Sequence, residues 1–369
     1  MHRKLFGTHA TATDSTPHNP ATRIVTHQAP QLRLDHIPGP IMLSSSPTAR
    51  EISVTIKCSD RNALDILFAD KFIGMADDSL SITAAPLMVL QSNLLSRGRL
   101  SRKSRQRFAE IRAITIELEV IVPEGTDLVL EKLKGAVIAP DSVLGNVTIS
   151  APYTGGNIVL GTTKSLAAKL EKQLLTAKSV RGEVLSITGG NVDIADGAVK
   201  LLFLNGSTSH SSVHYGGTAE SGTITGSLLT KITVEQVDGY IVISAPMLST
   251  ITINSGQATS ITVDGENGKV QYLGIAQTAT VNSTENLKCT FRTVSKLLQL
   301  NGQGGNVTVL FGDTKTVNAY GGRFEHNGII HDGNIVVPRG TTCLAKGFGP
   351  NVKFQGIMGV STAAVGFDA

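Results

Sequence analysis

Six cationic side chains and no acidic one fall within residues 96–107: Arg97, Arg99, Arg102, Lys103, Arg105 and Arg107, with Arg112 following Glu110. Charge of one sign at this density neutralises phosphates, or lies against anionic lipid or an acidic partner. The same residues serve as a solubilising arm, and no aromatic side chain is interleaved to stack on bases. Both readings stand, with the seven basic residues as candidates for contact with an anionic surface or nucleic acid. If the contact is real, replacing Arg102, Lys103, Arg105 and Arg107 by Ser flattens the salt dependence of polyanion binding by roughly one unit of log–log slope per lost phosphate contact. An unchanged slope refutes it.

The other side chains with chemical potential are scattered. His210 and His214 stand four apart, and His326 and His331 five apart. On a strand the first pair shares a face, but zinc also asks for Cys or carboxylate ligands, so all four are read as loop histidines. Five of the nine histidines (His2, His9, His18, His27, His36) lie in the first 48 residues, where solvated imidazoles are the plainer reading than a metal-binding tail. Asp193, Asp196, Asp238, Asp264 and Glu266 occur singly among turns, whereas glycoside hydrolysis needs paired carboxylates about 5–10 Å apart. Cys58, Cys289 and Cys343 are odd in number and widely spaced, which fits neither a disulfide framework nor a zinc site; they are expected as buried reduced thiols. No phosphate-cradling, nucleophile-elbow or zinc-protease motif is present. The pairs Gly216-Gly217, Gly304-Gly305 and Gly321-Gly322 are read as turns. No cofactor, no metal and no enzymatic activity are expected.

The elements that would position these residues are β-strands. Hydrophobic residues make up 41% of the 369, charged ones 17% and aromatics only 4%, with no Trp and 38 Gly. A core built from Val, Ile, Leu and Ala suits thin stacked coils, which leave little room for rings. Residues 51–57 and 114–123 alternate polar and apolar with period two, and residues 64–68 and 79–82 look like strands too. Thereafter a short unit recurs in which Gly and a small polar residue precede alternating β-branched residues. It appears at Gly145-Asn146-Val147-Thr148-Ile149, Gly190-Asn191-Val192-Asp193-Ile194, Gly305-Asn306-Val307-Thr308-Val309 and Gly333-Asn334-Ile335-Val336-Val337, among others. Glycine allows the corner, and residues two apart then point into one core. One unit cannot bury its apolar face alone, so the units must stack.

The expected fold is therefore all-β, a right-handed parallel β-helix or solenoid with irregular coils, since the units recur at uneven spacing. Residues 1–48, rich in Thr, Pro and His, are expected to form a flexible tail, with Ile37-Pro38-Gly39-Pro40 as an extended linker. Residues 49–355 would be the solenoid, with the basic loop 96–112. The apolar, Gly-rich residues 356–369 would cap the last coil or dock into a neighbour. Residues 165–178 remain open: Leu166, Leu170 and Leu174 suit an amphipathic helix or further strands.

The strand at Ser79-Leu80-Ser81-Ile82, the run from Ile114 to Gly125 and the Gly-led Val/Ile units together resemble the DUF4097 adhesin-like β-strand-repeat family, over about residues 50–310. The resemblance implies a right-handed parallel solenoid and brings no catalytic residues. Bactofilins, cytoplasmic β-helical scaffolds, offer a second likeness of architecture only. The expected role is structural: a non-enzymatic scaffold that self-assembles as a homo-oligomer or anchors other proteins. The alternatives are a binding module presenting the basic loop, or a surface adhesin; a polysaccharide-active enzyme is least favoured. Neither a secretory signal nor an apolar run long enough to span a membrane is seen, so a cytoplasmic address is expected. A cell-surface location by a non-classical route stays open.

Overall fold

The computed structural model describes residues 21–59, 73–76, 78–84, 115–151, 156–206, 210–302, 304–337, 342–356 and 362–365, and these contain strands and no helix. The strands are β1 (Ala21–His27), β2 (Gln31–Asp35), β3 (Ile41–Ser46), β4 (Ile52–Cys58), β5 (Ile73–Ala76), β6 (Ser79–Thr83), β7 (Ile116–Pro123) and β8 (Asp127–Glu131). There follow β9 (Val137–Ala151), β10 (Ile158–Leu170), β11 (Leu174–Thr188), β12 (Asn191–Asn205), β13 (Ser212–Thr225), β14 (Lys231–Val237), β15 (Gly239–Ala245), β16 (Thr250–Ser255) and β17 (Gln257–Gly265). The series closes with β18 (Lys269–Ser283), β19 (Lys288–Asn301), β20 (Asn306–Val309), β21 (Thr314–Tyr320), β22 (Arg323–Val337), β23 (Thr342–Gly356) and β24 (Thr362–Val365). From β8 onward every pairing is parallel between coils, so the molecule is a parallel β-solenoid.

The coils are more regular than the glycine spacing suggests. Lys231 lies over Thr250, Thr250 over Lys269 and Lys269 over Lys288, each 19 residues on. The step shortens to 17 at Leu174↔Asn191 and lengthens to 21 at Asn191↔Ser212. The coils are thus irregular as expected, with a run of equal 19-residue steps in the middle of the stack. Glycine misleads because it marks two different places. Gly190 opens a coil at the closing turn, Gly239 opens the second straight segment, and Gly216-Gly217 lie inside β13 at a register shift rather than in a turn.

Alternation sends every second side chain inward, and stacking turns these into continuous files. One runs Val213, Ile232, Ile251, Val270, Cys289, Val307, Phe324, Cys343. The next runs Tyr215, Val234, Ile253, Tyr272, Phe291, Val309, His326, Ala345. All sixteen are buried. Each large member contributes about 1.5–3 kcal/mol by leaving water, so the core is a column rather than a ball. The open segment is settled as strand: Leu166 and Leu170 point inward from β10, and Leu174 opens β11 after a turn.

The N-terminal end overturns the expected boundary. Residues 21–46 hold three strands, not a flexible tail, and Ile37, the first residue of the supposed linker, and Ile41, just after it, are fully buried. β2 and β3 form a complete coil wedged between two others. β2 pairs in parallel with β6 on one side and β8 on the other; β3 pairs with β7 and with the start of β9. The coil made of β6 and β7 comes later in the chain yet lies outside the β2–β3 coil. Antiparallel strands finish this end: β4 on β7, β1 on β4, and β5 on β6. The strand expected at 64–68 lies outside the described residues, as do the basic residues 96–112. At the other end β24 adds a parallel strand to β23.

Candidate functional site

Outward-facing side chains meet their counterparts one coil away, and this accounts for most of the chemistry-bearing residues singled out above. Asp127 accepts from Asn146 Nδ2, and Asn146 Oδ1 in turn accepts from Ser165 Oγ at 2.5 Å. Asp264 accepts from Asn282 at 2.6 Å, and Asn282 Oδ1 accepts from Asn301 at 2.8 Å. Asp238 accepts the backbone N–H of Gln257 at 2.6 Å and the Gln236 amide at 2.9 Å. Asp196 accepts from Arg181 at 2.5 Å. The Gly197 N–H, and then Arg181, hold its carboxyl below the ordinary Asp value. With Asp193, which meets His214 one coil on, four of the five scattered carboxylates (Asp196, Asp238 and Asp264 being the others) therefore brace adjacent steps of the stack, and the structure does not bring them together as a catalytic pair. Exposed pairs of this kind add little stability; their effect is to fix register from coil to coil.

Of the four histidines read as loop residues, only His210 lies in one. His210 sits in a turn with a left-handed backbone, φ 56–64° being shared with Leu229 and Leu248 at the same point of the next two coils. His214 lies on β13, its Nδ1 2.8 Å from Asp193 Oδ1 in the preceding coil. His331 lies on β22, 3.7 Å from Asp313. His210 and His214 do not converge on a shared ligand set, and among the described residues no three His, Cys, Asp or Glu side chains gather to hold a metal ion.

His326 is buried in the core file, between Val309 and Ala345. Its position is the one that Tyr215 and Tyr272 occupy in other coils. Each of the three is followed two residues later by a glycine against which the ring tip lies: Gly217, Gly274 and Gly328. Each ring end finds a polar partner at the bend. Tyr215 Oη donates to Thr218 O at 3.0 Å; Tyr272 Oη accepts from Ala258 N at 3.1 Å. Burial pushes both phenols far above their ordinary range. For His326 the partner is Thr314, whose hydroxyl donates to Val294 O at 2.6 Å and so must accept from His326 Nε2–H at 2.7 Å. That geometry selects the neutral Nε2–H tautomer.

Burial holds the His326 pKa below the ordinary 6.5, against a weaker opposite pull from the Gly328 backbone and Asp313. The unfolded chain then binds the proton first, so stability is complete above about pH 6.5 and falls as the pH drops below it. His326→Tyr, which installs the residue found in the equivalent coils, is expected to remove this component. Thermal unfolding of wild type and variant between pH 7.5 and 5 tests it: parallel pH profiles would count against the buried neutral imidazole.

All three cysteines are buried and outside any disulfide. Burial pushes Cys289 up to about 12 and Cys343 up to about 11, so neither is poised as a nucleophile at neutral pH. An open groove of about 530 Å³ lies over β3, β7 and β9, lined by Met42, Ile121, Pro140, Glu119 and Asp141; Glu119 in it is paired with Lys57.

One arrangement escaped the sequence reading. Lys231, Lys269 and Lys288 stand in a single file on the outer face, brought into line by the 19-residue step. The signal was present as lysines 38 and 19 residues apart, invisible until the coil length is known. Among the described residues no helix is long and apolar enough to cross a membrane. Comparison with protein-family models gives no match and comparison with curated proteins gives none, so the likeness to adhesin-like repeats rests on the quoted motifs alone.

Proposed function

We propose that the chain is a non-catalytic structural solenoid whose C-terminal end joins it to a second copy of itself. The observation that carries this is an opening of the core at β23. Phe354 stands in register on Ile335, which is 1% exposed, yet Phe354 itself is 43% exposed. Phe348 packs edge-on against it, with ring centroids 4.8 Å apart. The inward file thus ends in aromatic surface among the described residues, whereas the opposite end is finished by antiparallel strands. An end that is apolar and an end that is closed favour a discrete two-fold pair over an endless filament.

Phe354→Asp is expected to convert a dimer to a monomer in sedimentation velocity at micromolar concentration, with the β-sheet circular dichroism unchanged. Removing residues 356–369, which takes away β24, is expected to change the same profile. A wild-type chain that sediments as a monomer would end this reading. A role in anchoring other proteins draws on the same end and is separated from self-association by that measurement.

A further inference from the structure

We propose that the outer face of β14, β16, β18 and β19 binds an extended acidic polysaccharide, a chain of uronate sugars, laid along the solenoid axis. Lys231, Lys269 and Lys288 occupy one file on this face, with Thr250 filling the gap between the first two. Coils stack about 4.8 Å apart, so the lysines are separated by about two coils and then one. Arg292 lies on the same face of β19, two alternations beyond Lys288. All four cations are exposed, and among the described residues none of their side chains has an ion-pair or hydrogen-bond partner.

The acids nearby are already engaged or lie at the margins. Glu235 accepts from Asn254 at 2.9 Å, Glu285 in a closing turn accepts from Asn267 at 2.5 Å, and Glu266 lies in another closing turn. Further along, Asp193 holds His214 and Glu325 holds Arg323. Between these limits the strip sets four cations against the one exposed carboxylate of Glu235, whose Asn254 partner is neutral, and so keeps a net positive charge.

Two features favour a sugar polymer. A second file beside the lysines consists of Thr233, Thr252, Gln271, Thr290 and Thr308, neutral groups that both donate to and accept from hydroxyls. A pyranose in an extended chain is about as long as the gap between coils, so carboxylates on successive sugars fall within reach of a file whose cations stand one or two coils apart. Single-stranded nucleic acid fits less well, because no aromatic side chain lies in either file to stack on bases. Lysines offer mobile point charges rather than fixed forks, which suits carboxylates without demanding one geometry.

The test is titration calorimetry of the full chain with oligogalacturonate at low and moderate salt. The Lys231→Gln, Lys269→Gln, Lys288→Gln triple variant is expected to bind about tenfold more weakly with a shallower salt dependence. Thr250→Lys, which closes the gap in the file, is expected to bind more tightly, and this gain cannot arise from misfolding. The basic residues 96–112 are intact in every variant, so any binding through them is common to all. Equal affinity of the triple variant and wild type overturns the proposal, and so does tighter binding of a single-stranded oligonucleotide of equal charge.

Discussion

A chain lacking residues 1–48 is expected not to fold at its N-terminal end, and to be recovered mainly as aggregate or as a protease-sensitive product. Trimming at this point looks harmless from composition, but it removes an interior coil. Leu32 is packed between Leu80 and Leu128, and Leu34 between Ile82 and Leu130. Ile41 is sandwiched by Leu118 and Val137. These three, with Ile37, are fully buried, and Leu43 nearly so. Five such side chains contribute about 1.5–3 kcal/mol each, which rivals the whole stability of a typical domain at about 5–15 kcal/mol. Their loss also strands the backbone groups of β6, β7, β8 and β9 that bond to them. Limited proteolysis and thermal unfolding decide the matter. The finer variant Leu34→Ala is expected to cost about 2–5 kcal/mol. A truncated chain that melts where the full chain melts would show that β2 and β3 are not interior.

The second large effect is expected at Gly256. Its φ of +138° is one that side-chain-bearing residues rarely adopt, and a Cβ there would stand 2.0 Å from Val237 O and 2.9 Å from Tyr272 Oη. The bend is filled by that tyrosine, whose hydroxyl takes the Ala258 N–H and points back to Val237 O at 3.4 Å. Gly256→Ala therefore strains the backbone, by about 1–3 kcal/mol, and disrupts a buried hydrogen-bonded group, by about 1–3 kcal/mol more. Gly125→Ala is the control: φ is +80°, but nothing lies within 4 Å of the new methyl, so only the backbone strain applies. Denaturant titration should rank Gly256→Ala well below Gly125→Ala. Tyr272→Phe alone is expected to cost about 1 kcal/mol. Equal losses at the two glycines would mean that the tyrosine does not fill the bend.

These two sites also show where sequence reasoning runs out. Alternation of Ile52, Val54 and Ile56, or of Ile116, Leu118 and Val120, is enough to assign strands and their inner face, because side chains on extended chain point alternately to opposite sides. It says nothing about which strand lies on which. Residues 31–46 were misjudged because their partners are about 50 to 100 positions away, and Pro and Thr suggested a tail. Leu166, Leu170 and Leu174 were ambiguous for a simpler reason: a spacing of four lies on one face of a helix and on one face of a strand alike. The buried role of His326 was hidden in the same way, since its kinship with Tyr215 and Tyr272 exists only through stacking.

By itself, then, the sequence determined the strands, their inward faces, the buried thiols and the need to stack, all consequences of local geometry and of the cost of exposed apolar surface. Only the tertiary structure decided the register, and with it the wedged N-terminal coil, the pairing of scattered carboxylates with the next step and the file of lysines. Register is a relation between distant segments, set by how coil on coil best fills one shared core, and no window of neighbouring residues contains it.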